Sequence, residues 1–255
     1  MFKSCQNNVL TIFFMKFLIN FFFFWSIFLS LSFADEIIVL DSFSDDGTAE
    51  LLKSNPDIIF YQRKFTNFSD QRNYAINLSK NDWVLFLDAD ERLSNSLVEE
   101  INSVNLKNRN IVAYKIFRKF LFKNTPINFS GYQNDSVIRL FNKNYVSYRK
   151  DKLVHETLVI NGKVHKLRNK ILHLSYSDFK SFKNKMLFYA KIKGKELFQN
   201  NKKIIFVHFI FKPLMRFFYH FIIRLGFLDG KKGLIIAYLN SLYVYKRYEE
   251  YRKLF

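Results

Sequence analysis

The hydrophobic pattern divides the chain into three stretches of different kind. Leu10–Phe33 is almost continuously apolar, centred on Phe21-Phe22-Phe23-Phe24-Trp25, with Lys16 and Asn20 as the clear interruptions. From Asp35 short apolar runs alternate with segments of helical spacing. Glu36–Leu40, Ile58–Tyr61 and Trp83–Leu87 read as strands, the first and last of the type buried on both faces. The spacing predicts helices over Thr48–Ser54, over Ser69–Leu78 with Ser69 as N-cap, and near Leu97–Val104. Further strands are expected at Val112–Phe117, Ser136–Phe141, Leu158–Ile160 and Ile171–His173, the last two flanking the Asn161-Gly162 hairpin signal. Asp178–Asn200 reads as a Lys-rich helix. Strands alternating with helices point to an α/β fold with a sheet covered on both faces, whose ligands sit beyond the carboxyl ends of the strands.

The third stretch has a different period. In Ile204–Phe227 the polar residues His208, Lys212, Arg216, His220 and Arg224 recur every four positions. On a helix they form one slowly drifting stripe and leave the rest of the surface to Phe, Ile and Leu. A membrane-crossing helix rarely carries five such residues, whereas one lying in the interface sets them against anionic headgroups. A core helix with a solvated edge satisfies the same pattern. Pro213 predicts a kink or break, and Gly230 and Gly233 separate this helix from a last one over Leu234–Tyr251. The expected organisation is an atypical apolar segment 1–33, an α/β domain 34–200 and an amphipathic, membrane-associated helical tail 201–255.

Leu10–Phe33 leaves several readings open. About 20 apolar residues suffice to span a bilayer as a helix. A signal sequence is a second reading, with Lys3 as a weak positive region and no convincing small-x-small cleavage site. Alternatively the stretch replaces the first strand and helix of the domain, or part of it still supplies a strand.

Composition narrows the function classes. The chain has 255 residues, room for one large domain with an appendage. Its single cysteine, Cys5, excludes an internal disulfide and a cysteine metal cluster, and fits a reducing, cytoplasmic setting. The net charge of +18 is uneven: residues 34–100 hold 6 Lys and Arg against 14 Asp and Glu, residues 101–200 hold 21 against 5, and residues 201–255 hold 11 against 3. Zinc-finger spacing and Gly-aromatic RNA-binding signatures are both missing, so nucleic acid is not an expected partner. Basic residues accompanied by apolar segments suit an anionic membrane surface.

The acidic third carries the candidate chemistry. Residues two apart on a strand point to the same side, so Asp88-Ala89-Asp90 sends two carboxylates out together where the sheet meets solvent. Such a pair suits a hard divalent cation holding a phosphate-bearing substrate. The same acids would also cap a helix near Ser94–Glu99. Asp41 ends a second strand of the same type, which favours a site.

The run Asp41-Ser42-Phe43-Ser44-Asp45-Asp46-Gly47-Thr48, followed by Asp88-Ala89-Asp90, resembles family 2 of the glycosyltransferases, the inverting GT-A enzymes. Within it the chain is most similar to the lipopolysaccharide-core beta-glucosyltransferase subgroup, through Ala34–Ser42, Gln71-Arg72-Asn73 and Trp83–Arg92. The likeness continues through Asp135 with Arg139-Leu140-Phe141, Val154-His155-Glu156, Leu172–Tyr176 and Gly226-Phe227-Leu228-Asp229-Gly230.

This resemblance implies a GT-A, Rossmann-like mixed sheet flanked by helices, to which the hydrophobic pattern adds an N-terminal apolar helix and amphipathic helices at the C-terminus. It implies metal-dependent transfer of a sugar, glucose by the subgroup, from a UDP-sugar to a lipid-linked glycan such as a lipopolysaccharide core. The setting would be the cytoplasmic face of the inner membrane, with the chain peripheral or anchored by its N-terminal segment. Carried over residue by residue, Asp41 contacts the uracil, Arg72 the nucleotide, and Asp88 the ribose or metal. Asp90 coordinates Mg²⁺ or Mn²⁺ bridging the diphosphate, which neutralises charge on the leaving UDP. Asp135 matches the base that takes the acceptor's proton. His155 and Glu156 match the acceptor side, and His173 is a further candidate for metal or phosphate contact. A polyprenyl-phosphate acceptor is the alternative. The chain departs from the family at its start, where no Asn-Glu-Glu turn occurs. That departure implies a lost central strand and, as a competing reading, a catalytically impaired membrane-bound remnant.

Overall fold

The computed structural model describes residues 10–16, 33–45, 47–88, 90–149, 157–176 and 178–254. In chain order the elements are β1 (Leu10–Lys16), β2 (Glu36–Asp41), α1 (Thr48–Lys53), β3 (Ile59–Gln62), α2 (Phe68–Leu78), β4 (Trp83–Asp88), β5 (Glu91–Leu93) and α3 (Asn95–Ser103). There follow β6 (Ile111–Phe122), β7 (Thr125–Pro126), β8 (Ser136–Asn142), β9 (Val146–Tyr148), β10 (Leu158–Ile160) and β11 (Lys163–Tyr176). The chain continues with α4 (Phe179–Gln199), α5 (Val207–Phe218), a π-helical turn (Tyr219–Ile223), a 3₁₀ turn (Gly226–Asp229) and α6 (Lys231–Arg252).

The chain divides into two compact units, with boundaries after Phe117 in β6, after Asp135, and after Leu172 in β11. The first unit is built on the sheet, ordered β3-β2-β1-β4-β8-β6-β11-β5. Strands β3, β2, β1 and β4 run parallel, and β8 is antiparallel to β4 and to β6. The burial pattern explains the continuous apolar runs. Val39, Leu85 and Leu87 pack on one side with Leu52 of α1 and Leu97 and Ile101 of α3. The alternating residues Ile38, Leu40, Val84 and Phe86 pack on the other with Ala75 and Ile76 of α2. Each strand is covered on both faces, so neither face needs polar residues.

The first strand of the sheet is present. Residues 10–16 form β1, parallel to β2 on one side and to β4 on the other, with Phe13 opposite both Ile38 and Phe86. The expectation of an apolar helix fails for these residues, and the rest of that segment, 17–32, lies outside the described residues. Among the described residues no helix is long and apolar enough to cross a membrane. A strand bonded on both sides uses its backbone groups in two ladders, so proline there deletes a donor that nothing else supplies. Phe13→Pro is expected to destabilise the fold by at least the roughly 1–3 kcal/mol of an unmade buried backbone bond, read as a lower midpoint in urea unfolding; an unchanged midpoint would place residues 10–16 outside the sheet.

Two local expectations also change. Asn67, not Ser69, caps α2, its side chain accepting from the Asp70 N–H at 2.8 Å. Leu158–Ile160 pairs antiparallel with Val146–Tyr148, so the strands flanking Asn161-Gly162 do not pair with each other as the hairpin signal suggested.

The second unit packs α4 and α5 against α6, over a core of Phe120, Phe122, Ile127, Phe182, Ile236 and Leu239. Asp178 starts α4 with a reciprocal capping pair to Ser181. Close helix approach dictates two glycines here. A Cβ on Gly194 would lie 2.8 Å from the Arg247 carbonyl, and one on Gly233 would lie 1.7 Å from that of Gly226. Gly233 therefore sits inside α6 as a contact point, and only Gly230 separates the helices. Pro213 is accommodated within α5, and the helical path widens into the π turn from Tyr219.

Candidate active site

The carboxyl ends of β2, β1 and β4 lie side by side. Met15 of β1 pairs with Leu40 and with Asp88, and Lys16 pairs with Asp41. Asp41 and Asp88 are thus two strand spacings apart, on the order of 10 Å. Asp90 follows Asp88 in the turn before β5 and is half-buried. The sheet topology brings the two acidic motifs, separated by 47 positions in the chain, to one edge of one unit.

Asp41 is fully buried. One of its carboxylate oxygens accepts from the Ser44 N–H at 2.9 Å and from the Gln62 amide at 3.2 Å, while the other accepts from the Ser44 hydroxyl. These bonds fold the turn after β2 and hold Phe43 at φ 60°, with its ring 61% exposed. A non-glycine residue in that conformation is uncommon and persists only where the surroundings enforce it. The sequence reading assigned no role to Phe43; left-handed backbone is not visible in a side-chain pattern.

Three consecutive residues of α2 tie the site together. Gln71 is fully buried and donates to the Ser42 hydroxyl at 3.3 Å. Arg72 donates to Asp88 at 2.9 Å, its guanidinium 5.6 Å from the Phe86 ring and 5.5 Å from that of Tyr148. Asn73 bonds both backbone groups of Tyr148, at 2.8 and 3.0 Å, which fastens α2 to β9.

Asp88 is held from a second direction by Arg139 of β8. That guanidinium contacts the other Asp88 oxygen and reaches Glu91 at 2.8 Å, while Glu91 accepts from the Asp88 N–H at 3.1 Å. Glu91 is fully buried and Arg139 nearly so. Burial alone would lower the Arg139 pKa, but Asp88 and Glu91 outweigh it and hold it well above the usual arginine value. Arg92 is pushed down to about 10 by burial, with Asp90 opposing the shift, so it stays protonated at neutral pH.

Both Asp88 oxygens face guanidinium groups, and Asp90 follows beyond the strand end. Among the described residues no group of three or more His, Cys, Asp and Glu side chains gathers to hold a metal. A Mg²⁺ or Mn²⁺ ion bound with a diphosphate does not need one, because one or two carboxylates, the phosphate oxygens and water complete its shell. The donor set therefore fits a metal that arrives with its substrate.

The remaining candidates belong to the second unit or fall outside the described residues. Asp135 belongs to the second unit, where Arg118 donates to its carboxylate at 2.7 Å and to its carbonyl at 2.9 Å. Tyr132 nearby is raised to about 12, by burial first and then by Asp135. His173 is buried in the same unit with its ring 4.4 Å from that of Phe120, an aromatic packing contact. His155 and Glu156 lie outside the described residues. A cavity of about 770 Å³, lined in part by Asp82, Trp83 and Asn142, opens at the amino end of β4, the wrong end for a ligand of such a sheet.

The family model "Glycosyl transferase family 2" matches residues 23–172. The chain belongs to that family. It is 28% identical over 233 residues to an uncharacterized glycosyltransferase of Rickettsia bellii, covering 87% of this chain and 78% of that one. It is also 28% identical over 230 residues to the lipopolysaccharide core biosynthesis glycosyltransferase LpsC of Rhizobium meliloti, covering 84% and 83%. Among solved structures, the mannosyltransferase PcManGT from Pyrobaculum calidifontis, in complex with GDP-Man and Mn²⁺, aligns with a TM-score of 0.50 at 9% identity over 95% of this chain and 86% of that one. That likeness supports the mixed α/β GT-A-like fold.

One buttressing residue of this family 2 glycosyltransferase has no role that the sequence alone suggests. Asp229, in the Gly226–Gly230 motif, accepts from the N–H groups of Asn128 and Phe129, both at 3.0 Å, and from the Ser130 hydroxyl at 2.8 Å. His220 bonds the Ser130 carbonyl at 2.8 Å, and burial first, then Arg216 and Arg224, keep its pKa low and the ring neutral at pH 7. Together they fasten the loop that leads into Asp135.

Proposed function

We propose that this enzyme transfers a sugar, glucose by its subgroup resemblance, from a UDP-sugar to a lipid-linked acceptor of the lipopolysaccharide-core type, with inversion. The carrying observation is the strand-end constellation. Asp41 shapes the β2 turn where a uracil would lie, Arg72 and Arg139 fix Asp88 towards a ribose, and Asp90 would hold a divalent ion on the diphosphate. That ion, when bound, supplies positive charge to the leaving phosphate. The acceptor oxygen forms its bond to the anomeric carbon as the bond from that carbon to the phosphate oxygen breaks. UDP leaves with the electron pair, and a base takes the acceptor's proton, the role that the resemblance gives to Asp135.

The relative named for lipopolysaccharide core biosynthesis favours that acceptor over a polyprenyl phosphate. The impaired-remnant reading rested on a missing central strand, and β1 removes that ground.

A thermal-shift panel of nucleotide-sugars, each with and without Mn²⁺, tests the donor. UDP-sugars are expected to raise the melting temperature more with Mn²⁺ than without, and equal shifts from GDP- and UDP-sugars would refute the donor assignment. Asp135→Asn is expected to lower transfer by about 10²–10⁴-fold, the range of a general base, while leaving the UDP-dependent thermal shift intact. Transfer to lipopolysaccharide core and to polyprenyl phosphate, assayed side by side, separates the two acceptors.

A further inference from the structure

The amphipathic segment of the second unit is assembled with its apolar side outward. Phe206, Phe211, Met215 and Ile223 are 76%, 59%, 66% and 68% exposed, and Ile210 and Leu214 between them are each 50% exposed. In α5 these positions recur at three- and four-residue intervals, so they form one face. The other side of the helix meets α6. The His208 ring lies 5.7 Å from that of Tyr248, Phe209 packs on Tyr245 and Tyr248, and the Pro213 carbonyl accepts from the Ser241 hydroxyl at 2.8 Å. His220 is buried against Ser130. A helix seated on a water-soluble core does the reverse.

We propose that this outward face is a docking surface for an anionic lipid bilayer. Charge selects the occupant. Lys202, Lys203, Lys212, Arg216 and Lys231 are all exposed along the same segment. Residues 201–228 contain no Asp or Glu, and Asp229, the next acid, is committed to backbone donors. A second copy of the chain would set these cations against their own equivalents with no carboxylate between them. Anionic headgroups neutralise them while the Phe, Ile and Met side chains enter the acyl boundary. Length selects the mode. The 12 residues of α5 and the 5 of the π turn that continues it extend roughly 25 Å, short of a hydrocarbon core of about 30 Å, so the helix lies on the bilayer rather than across it. This surface is independent of the sugar-transfer reading, and its test uses neither donor nor acceptor.

The test is flotation of the full chain with phosphatidylcholine vesicles, with and without about 30% phosphatidylglycerol, at low and high salt. Binding is expected on the anionic vesicles, little on the neutral ones, and a decline as salt screens the cations. Lys202→Glu/Lys203→Glu is expected to weaken binding at least tenfold, since each cation near such a surface is worth about fivefold. Phe211→Ser/Met215→Ser is expected to weaken it by a similar factor, with an unchanged circular-dichroism melt because both side chains are exposed. Equal binding by both variants and the parent, or equal binding to neutral vesicles, overturns the proposal. So does a dimer in vesicle-free solution that Phe211→Ser/Met215→Ser disperses, which assigns the face to a second copy. A Met215→Cys thiol, in a Cys5→Ser background, is expected to react readily with maleimide before vesicles are added and slowly after. Resistance without vesicles means the chain covers the face itself and overturns the proposal.

Discussion

Asp90→Asn is expected to lower turnover of the UDP-sugar by about 10²–10³-fold or more and to abolish its response to Mn²⁺, with a smaller loss of stability than Asp88→Asn. The size follows from where charge develops: the leaving diphosphate gains negative charge, and removing a single preorganised stabilising group from such a site costs about 10²–10³ in rate. The difference in stability follows from position. Asp90 is half-buried in a turn beyond β4, whereas Asp88 is built into the network of Arg72, Arg139 and Glu91. Asp88→Asn is therefore expected to lose both activity and stability, and the pair of variants separates metal binding from architecture. Turnover in Mn²⁺ and in EDTA, beside urea unfolding of both proteins, reads the difference. Activity of Asp90→Asn within about twofold of the parent, or an equal Mn²⁺ response, would remove the metal from Asp90.

The difference between these neighbouring acids was only partly legible in the sequence. Trp83–Asp88 and Glu36–Asp41 announced themselves because a strand covered on both faces is a plain apolar run, and a charge at its end has nowhere to go but the sheet edge. Gln71-Arg72-Asn73 was legible as a motif, though not that its three side chains point to three different elements. Leu10–Lys16 was not legible, since a central strand inside a longer apolar stretch has no period that distinguishes it from a helix.

Long-range partners were the other gap. Arg139 stood in a recognised block, but its role depends on Asp88 and Glu91, which lie 51 and 48 positions away. Asp229 is similar, binding a loop about a hundred positions earlier. In α5 the four-residue period revealed two faces and could not say which one would turn outward, because that choice belongs to the Tyr-rich surface of α6.

The largest expected effect on stability is at Arg139. Arg139→Met is expected to destabilise the sheet unit by about 3–5 kcal/mol, the cost of stranding buried charge when one partner of an ion pair is removed. Glu91 cannot relax into water, being fully buried, and Asp88 would keep only Arg72 of its two guanidinium partners. Arg139→Lys preserves the charge but not the fork that reaches two carboxylates at once, so an intermediate loss is expected. The decisive variant is the double change Arg139→Met/Glu91→Gln. Removing both charges deletes the stranded carboxylate that makes the single change costly, so the double variant is expected to be more stable than Arg139→Met alone, although it makes one more substitution. Urea unfolding of the parent, Arg139→Met, Glu91→Gln and the double variant measures this coupling. Independent, additive losses would mean that Arg139 and Glu91 do not act as a pair.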